Sequence, residues 1–406
     1  MQLGSELGDQ MTSKLNDQTI SRRAARMRAS EIRELLKLLD RPGMVSFAGG
    51  IPDPDLFDIE AYRSAYSEAL SDGDRSLQYS TTEGYQPLRR WIADYMCRKG
   101  VTCDESHILI THGSQQALDL IGKLMIDPGS TVVTLAPTYL GALQSFSAYE
   151  PEYRSVRFQN GVAETNVTAA RVLYLVPDFA NPTGETLSIE DRKAALALAR
   201  RAGAIVVEDA AYTELRFEGE NVPPIAALDI QESGSIDDSC TLFCGTFSKT
   251  LAPGLRIGWI CGPTALLQKL TLIKQASDLH TATINQQVTF RVAADNFEIA
   301  VEKAKVVYRK RRDAMLRALA AYAPEGLSWT SPAGGLFVWI TLPEQIDSAK
   351  LLEKAVERNF AFVPGAAFYP DGSGRNHLRM SYSLLPEDVI DQGIKAFCDL
   401  VREEIA

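Results

Sequence analysis

Lys249 closes the run Gly245-Thr246-Phe247-Ser248-Lys249, directly behind the apolar stretch at residues 242–244, and Pro253-Gly254-Leu255-Arg256 follows. A lysine at the mouth of a buried strand, beside hydroxyls and a second cation, loses its proton more easily, which is what imine formation with a carbonyl requires. Three other short apolar runs also end in polar groups. Residues 108–111 lead into Gly113-Ser114-Gln115 and a helical pattern with Ala117, Leu118, Ile121, Leu124 and Met125 on one face. The free N–H groups and positive dipole end of such a helix form a cradle for phosphate. Residues 172–176 precede Asn181-Pro182-Thr183-Gly184, and residues 205–208 precede Asp209-Ala210-Ala211-Tyr212. Each piece alone reads as ordinary: a capped helix start, a turn, an N-cap, a surface lysine. Together they stand at successive strand ends, where open α/β sheets bind their ligands.

The elements that must position them follow from length and patterning. A chain of 406 residues, at roughly 100–200 per domain, implies two or three domains and a large core. Apolar, β-rich runs at 108–111, 131–135, 172–176, 205–208, 242–244 and 257–261 fit strands buried on both faces of a mainly parallel sheet, with helices such as 189–202 between them. This is an α/β domain with helices on both faces. Beyond residue 300 the pattern becomes a long charged helix at about 299–322, Pro332-Ala333-Gly334-Gly335, an apolar run at 336–341, a helix at 348–358 and a closing segment at 378–383. That suits a smaller α+β domain. The expected division is a flexible arm at 1–20, an N-terminal segment at 21–60 packing with the small domain, a large domain at 61–299 and the small domain at 300–406. Within the N-terminal segment, Ser30 caps a short helix over 31–39 that stops at Pro42-Gly43, and residues 45–54 form an extended loop.

Composition sets the outer limits. Hydrophobic residues make up 45% and charged residues 23%, which excludes a mainly disordered chain, a collagen or a coiled coil. The net charge of −10 argues against nucleic acid as a general partner, because a polyanion needs a basic surface. No stretch approaches the ~18 uninterrupted apolar residues of a membrane span. The polar N-terminus has no signal-peptide core, and the six cysteines show neither a C-x-x-C pair nor metal-ligand spacing. The expectation is a cytoplasmic protein with free thiols, no metal and no membrane partner; Asn166-Val-Thr168 is then an accidental glycosylation sequon.

On the motifs Gly-Ser-Gln at 113–115, Asn-Pro-Thr-Gly at 181–184, Asp-x-x-Tyr at 209–212, Ser-Lys at 248–249 and Pro-Gly-x-Arg at 253–256, the chain from about residue 21 onward resembles the fold-type I pyridoxal-phosphate (PLP) aminotransferases of class I/II. Ser-Phe-Ala-Gly-Gly-Ile-Pro at 46–52, Leu-Gln-Tyr-Ser at 77–80, Thr-Glu-Gly-Tyr at 82–85 and Gly-Ser-Gln-Gln-Ala-Leu-Asp at 113–119 are most similar to the 2-aminoadipate and kynurenine/aminoadipate branch. The resemblance implies a mainly parallel seven-stranded sheet in the large domain, and a ping-pong transfer of an amino group from an L-amino acid to a 2-oxo acid such as 2-oxoglutarate. The donors it implies are 2-aminoadipate, glutamate, aromatic and branched-chain amino acids.

It also implies roles. Lys249 would hold PLP as a Schiff base and, once displaced by substrate, move the proton between Cα and C4′. Asp209 would pair with the protonated pyridine nitrogen, and Asn181 and Tyr212 would hydrogen-bond the phenolic oxygen. Tyr139 would stack on the ring, while Ser114, Gln115, Thr246, Ser248 and Arg256 would hold the phosphate. Tyr79 would reach the partner's site across a homodimer interface. Arg379 would clamp the substrate α-carboxylate beside Gly50, and Arg33 would meet a distal carboxylate. Ala180, before the Asn, replaces the larger polar residue that relatives often carry. The same Lys, Asp and Arg would also serve a PLP β-lyase or decarboxylase. Regulators with an aminotransferase-like domain carry a DNA-binding domain ahead of it, whereas about 20 polar residues precede the resemblance here.

Overall fold

The computed structural model describes residues 20, 21, 23, 24 and 43–405; the expected helix at 31–39, with Arg33, and most of the expected arm lie outside the described residues. Seven strands form the main sheet: β1 (Ile108–Thr111), β2 (Thr131–Thr134), β3 (Glu152–Ser155), β4 (Val172–Leu175), β5 (Ile205–Asp209), β6 (Thr241–Thr246) and β7 (Gly258–Cys261). Their spatial order is β1-β7-β6-β5-β4-β2-β3. β7 runs antiparallel to both neighbours, β1 and β6, and the remaining pairings are parallel. Every residue of β1, β4, β6 and β7 is buried, as their uninterrupted apolar character requires. Burying each Val, Ile or Leu on these strands stabilises the sheet by about 1.5–3 kcal/mol relative to exposure. β3 escapes the sequence reading because it is an edge strand with three of its four side chains exposed.

The helix Ile189–Ala202 forms where the 3.6-residue pattern places it, with the Ser188 side chain accepting from the Asp191 N–H at its start. The long helix differs from expectation. It spans Thr283–Tyr322, 40 residues, and so begins well before 299. Its first turns bury polar groups, among them Gln286, Gln287 and Thr289, around the apolar Val288. The glutamines are satisfied by hydrogen bonds: Gln286 Nε2 donates to Thr281 O at 2.7 Å, and Ser76 Oγ donates to Gln287 Oε1 at 2.7 Å. The helix carries the chain from the main sheet to a second one and packs against the helix Glu387–Ile405.

The second sheet contains β8 (Ser328–Trp329), β9 (Phe337–Thr341), β10 (Val363–Pro364) and β11 (His377–Ser381) in the order β8-β9-β11-β10, all antiparallel. Beside it, Val45–Ser46 pairs in parallel with Phe360–Ala361. This pairing anchors the loop that follows, so that residues 47–50 run between the two sheets.

Candidate functional site

The sheet topology gathers the polar residues on one edge. β5 ends on Asp209, and β6 ends on Thr246, with Ser248 and Lys249 just beyond. β1 leads into the helix Gly113–Met125, and β4 leads into the loop that carries Asn181. Because β7 is antiparallel, it starts at this edge: Gly258 lies opposite both Thr111 and Thr246, and Arg256, two residues before it, arrives at the same place. The second sheet contributes Phe337 from β9 and Arg379 from β11, and the strapped N-terminal loop contributes Gly49 and Gly50. Together these groups line a cavity of about 330 Å³.

Lys249 and Asp209 set its electrostatics. Lys249 Nζ donates to Gly50 O at 2.8 Å. Burial, reinforced by the Arg379 and Arg256 charges, moves its pKa from 10.5 down to about 8, against a smaller opposing pull from Asp209. An amine in that range supplies the neutral nucleophile near physiological pH. Asp209 is 3% exposed, and burial raises its carboxyl to about 6, although a hydrogen bond from Tyr174 and the Lys249 charge both favour the anion. Its Oδ2 accepts from Tyr174 Oη at 2.8 Å, while its Oδ1 is buried without a partner. A buried, unpaired carboxylate oxygen beside a cavity calls for a donor from whatever fills that cavity.

The anion cradle lies at the other end. Gly113 opens the helix with φ of 72°, and a Cβ there would lie 2.5 Å from Arg256 Nη2, so only glycine lets the guanidinium close over the helix start. Arg256 Nη2 donates to His112 O at 3.3 Å and Nη1 to Ser248 Oγ at 3.4 Å. Thr246 Oγ1 accepts from the Ser248 N–H at 3.1 Å, which folds the two hydroxyls together. The Gln115 side chain is engaged away from the helix start. Its Nε2 donates to Gly141 O at 2.8 Å and Ser145 Oγ at 2.6 Å, and its Oε1 accepts from Tyr139 Oη at 3.4 Å. The side chain therefore holds Tyr139 in place, and what Gln115 offers an anion is its backbone N–H.

Arg379 lies on the third side, 2% exposed. Its Nη1 donates to Asn181 Oδ1 and its Nη2 to Ala48 O, both at 2.7 Å, and Nε is buried without a partner. The guanidinium packs between the rings of Phe337 and Phe368, 4.3 and 5.1 Å from their centroids. Burial lowers its pKa to about 10, still cationic at neutral pH. Asn181 Nδ2 in turn donates to Tyr212 Oη at 3.5 Å, and burial pushes the Tyr212 phenol above its ordinary value. Gly50 has no room for a side chain, since a Cβ would sit 2.3 Å from the Phe337 ring.

Among the described residues, Lys249, Arg256 and Arg379 have no carboxylate within ion-pair distance. Three unpaired cations and one orphaned carboxylate oxygen fit PLP together with an amino acid. A phosphate dianion suits Arg256 and the helix start, a protonated ring nitrogen suits Asp209 Oδ1, an aldehyde suits the Lys249 amine, and a carboxylate suits Arg379.

Ser114, Gln115, Tyr139, Asn181, Asp209, Tyr212, Thr246, Ser248, Lys249, Arg256, Arg379 and Gly50 all line the one cavity. Tyr79 does not; it is 78% exposed, edge-on to His280 at 5.8 Å. Arg33 lies outside the described residues. Sequence reading missed Phe337 and Tyr174, both of which look like core in an apolar run.

Comparison with known proteins agrees with this geometry. The family described as aminotransferase class I and II matches residues 43–397. The chain is 40% identical to aromatic-amino-acid aminotransferase 1 of Thermococcus litoralis, over 98% of this chain and 99% of that protein. It is 41% identical to 2-aminoadipate transaminase of Thermus thermophilus, over 92% and 94% of the two chains. The solved structure of an alpha-aminoadipate aminotransferase from Thermus thermophilus, complexed with N-(5'-phosphopyridoxyl)-L-leucine, superposes with a TM-score of 0.88 at 37% identity, covering 96% of this chain and 99% of that one.

Proposed function

The chain belongs to the class I and II aminotransferases and is a PLP-dependent transaminase, and we propose that Lys249 is the residue that carries its cofactor. One observation supports this above all others: the Lys249 amine, held at about 8, shares a cavity with the unpartnered Asp209 Oδ1 and the unpaired Arg256 and Arg379. PLP, when bound, supplies a carbonyl for the amino group and a ring that takes up the electron pair released when the Cα proton leaves.

The chain's own groups then divide the work. Arg256, the Ser248 and Thr246 hydroxyls, Ser114 and the Gln115 N–H hold the phosphate. Asp209, with Oδ1 unpartnered, would hold the ring nitrogen, and its negative charge would keep a proton there. Asn181 and Tyr212 would donate to the phenolic oxygen, and Tyr139, braced by Gln115, would hold the ring. Arg379 grips the α-carboxylate of the amino acid beside Gly50, which fixes the direction of the Cα–H bond. Lys249 Nζ, once free, would take the proton from the amino acid's Cα and hand it to C4′ of the cofactor, and would run the same transfer backwards with the 2-oxo acid. Phe337 and Phe368 exclude water from the Arg379 clamp, strengthening each charged contact there.

The enzyme we propose is a homodimer in which Tyr79 of one subunit completes the site of the other. An exposed apolar group supports this, with Leu77 at 72%, Tyr79 at 78% and Leu279 at 55% exposure. A cytoplasmic location is part of the same proposal, supported by six free thiols. The donors proposed are 2-aminoadipate, glutamate, aromatic and branched-chain amino acids, with 2-oxoglutarate as acceptor. The names of the two relatives, for aromatic amino acids and for 2-aminoadipate, support that range. Arg33 is proposed as the group that meets an acidic side chain. A donor panel tests the set: glutamate, 2-aminoadipate, leucine and phenylalanine are each mixed with the loaded enzyme, and its absorbance is followed as amino groups are taken up. Saturable bleaching with acidic, aromatic and branched-chain donors is expected. Silence with all of them would overturn the substrate range.

A further inference from the structure

Tyr174 stands in the middle of β4, and its register fixes where its hydroxyl goes. In the parallel pairing of β4 with β5, Tyr174 lies opposite Val207. Alternate residues of a strand share a face, so Tyr174, Val207 and Asp209 point to the same side of the sheet. The phenol is long enough to reach one step further along β5, where Oη donates to Asp209 Oδ2 at 2.8 Å. Both residues are closed off from solvent, Tyr174 at 0% and Asp209 at 3% exposure. The carboxylate is thereby split: Oδ2 is held, and Oδ1 is left without a partner beside the cavity.

We propose that Tyr174 is a positioning residue for transamination, fixing and weakening the basicity of Asp209 so that the proton shared with the cofactor's ring nitrogen stays on the nitrogen. The inference rests on the reading that Asp209 faces that nitrogen. Its chemistry is a competition for one proton. A carboxylate that accepts a strong hydrogen bond on Oδ2 is a poorer base at Oδ1. With the phenol in place, Asp209 remains an anion and the ring keeps its positive charge. Without it, burial favours the neutral acid, the proton moves toward Oδ1, and the ring becomes a weaker acceptor of electrons. The other groups near Asp209 do not substitute: Lys249 is a cation that is used up in holding the cofactor, and Cys244, its cross-strand neighbour on β6, is buried with its thiol pKa pushed well up.

The test is Tyr174→Phe, which deletes one oxygen and keeps the ring that packs in the core. Wild type and variant are loaded with PLP carrying 15N at the ring nitrogen, and the nitrogen resonance is read by NMR. Wild type should give a protonated-nitrogen shift. The variant should move toward the unprotonated value, with kcat falling roughly 10-fold and KM little changed, as for loss of a hydrogen bond to a charged group. Tyr174→Leu, a different core side chain without the hydroxyl, must move the resonance the same way, which guards against an effect of packing or misfolding in either variant. A protonated nitrogen in wild type that stays protonated in both variants would overturn the role of Tyr174 and leave that of Asp209 standing. An unprotonated nitrogen in wild type would overturn the reading of Asp209 itself.

Discussion

Replacing Lys249 with methionine should make the cofactor-free protein more stable, although it destroys the enzyme. Burial together with the Arg379 and Arg256 charges lowers the lysine from 10.5 to about 8. At about 1.36 kcal/mol per pH unit, holding the charged amine there costs the folded state about 3 kcal/mol. Methionine removes that cost but also the bond to Gly50 O, itself worth about 1 kcal/mol, so a gain near 2 kcal/mol is expected at pH 7. The sign with pH follows from the lowered value. Below pH 8 both folded and unfolded lysine are protonated and the cost is felt in full. Between about 8 and 10.5 the folded amine is neutral while the unfolded one still binds its proton, so wild-type stability rises with pH and the gap to Lys249→Met closes. Urea unfolding of the two apoproteins at equal concentration, at pH 7 and pH 10, measures this directly. A variant less stable than wild type at pH 7, or a difference that ignores pH, would mean that burial does not hold the Lys249 amine at a cost.

Asp209→Asn retains size and the Tyr174 contact but removes the charge facing the ring; turnover should fall by several orders of magnitude with little change in melting temperature. Near-wild-type turnover would mean that Asp209 only ends its strand. Arg379→Lys keeps the charge but not the fork that bonds Asn181 and Ala48, so kcat/KM should drop about 10–150-fold for every donor, as for loss of a hydrogen bond to a charged group; an effect confined to acidic donors would count against the α-carboxylate role. Tyr79→Phe subunits mixed with Lys249→Ala subunits should recover part of the lost activity, because each heterodimer holds one site with both defects and one with neither. An active monomer at assay concentration would contradict the shared site.

Sequence carried most of the site because its residues sit where apolar runs stop, and such stops are visible without coordinates. Lys249, Asp209 and Asn181 follow such stops, and Arg256 stands just before a run begins. Tyr174 was invisible for the opposite reason: it lies inside an apolar run, and only the pairing of Tyr174 with Val207 turns a core tyrosine into the partner of Asp209. Phe337 gains its meaning from packing against Gly50 and Arg379, contacts between elements nearly 300 and about 40 residues apart in the chain. The fold shows the same division. Buried strands were legible from composition, whereas the polar edge strand Glu152–Ser155 was not. The start of the long helix at Thr283 was hidden because its first turns bury Gln286 and Gln287, and the partner of Gln287, Ser76, lies far away in the chain.

The most direct measurement of the central claim is chemical trapping of the cofactor. The PLP-loaded enzyme is reduced with borohydride, digested, and the peptides are mapped by mass. A single phosphopyridoxyl label is expected on Lys249, just beyond the end of β6 and within the cavity that also holds Asp209, Arg256 and Arg379. A label on any other lysine, with Lys249 unmodified, would contradict it.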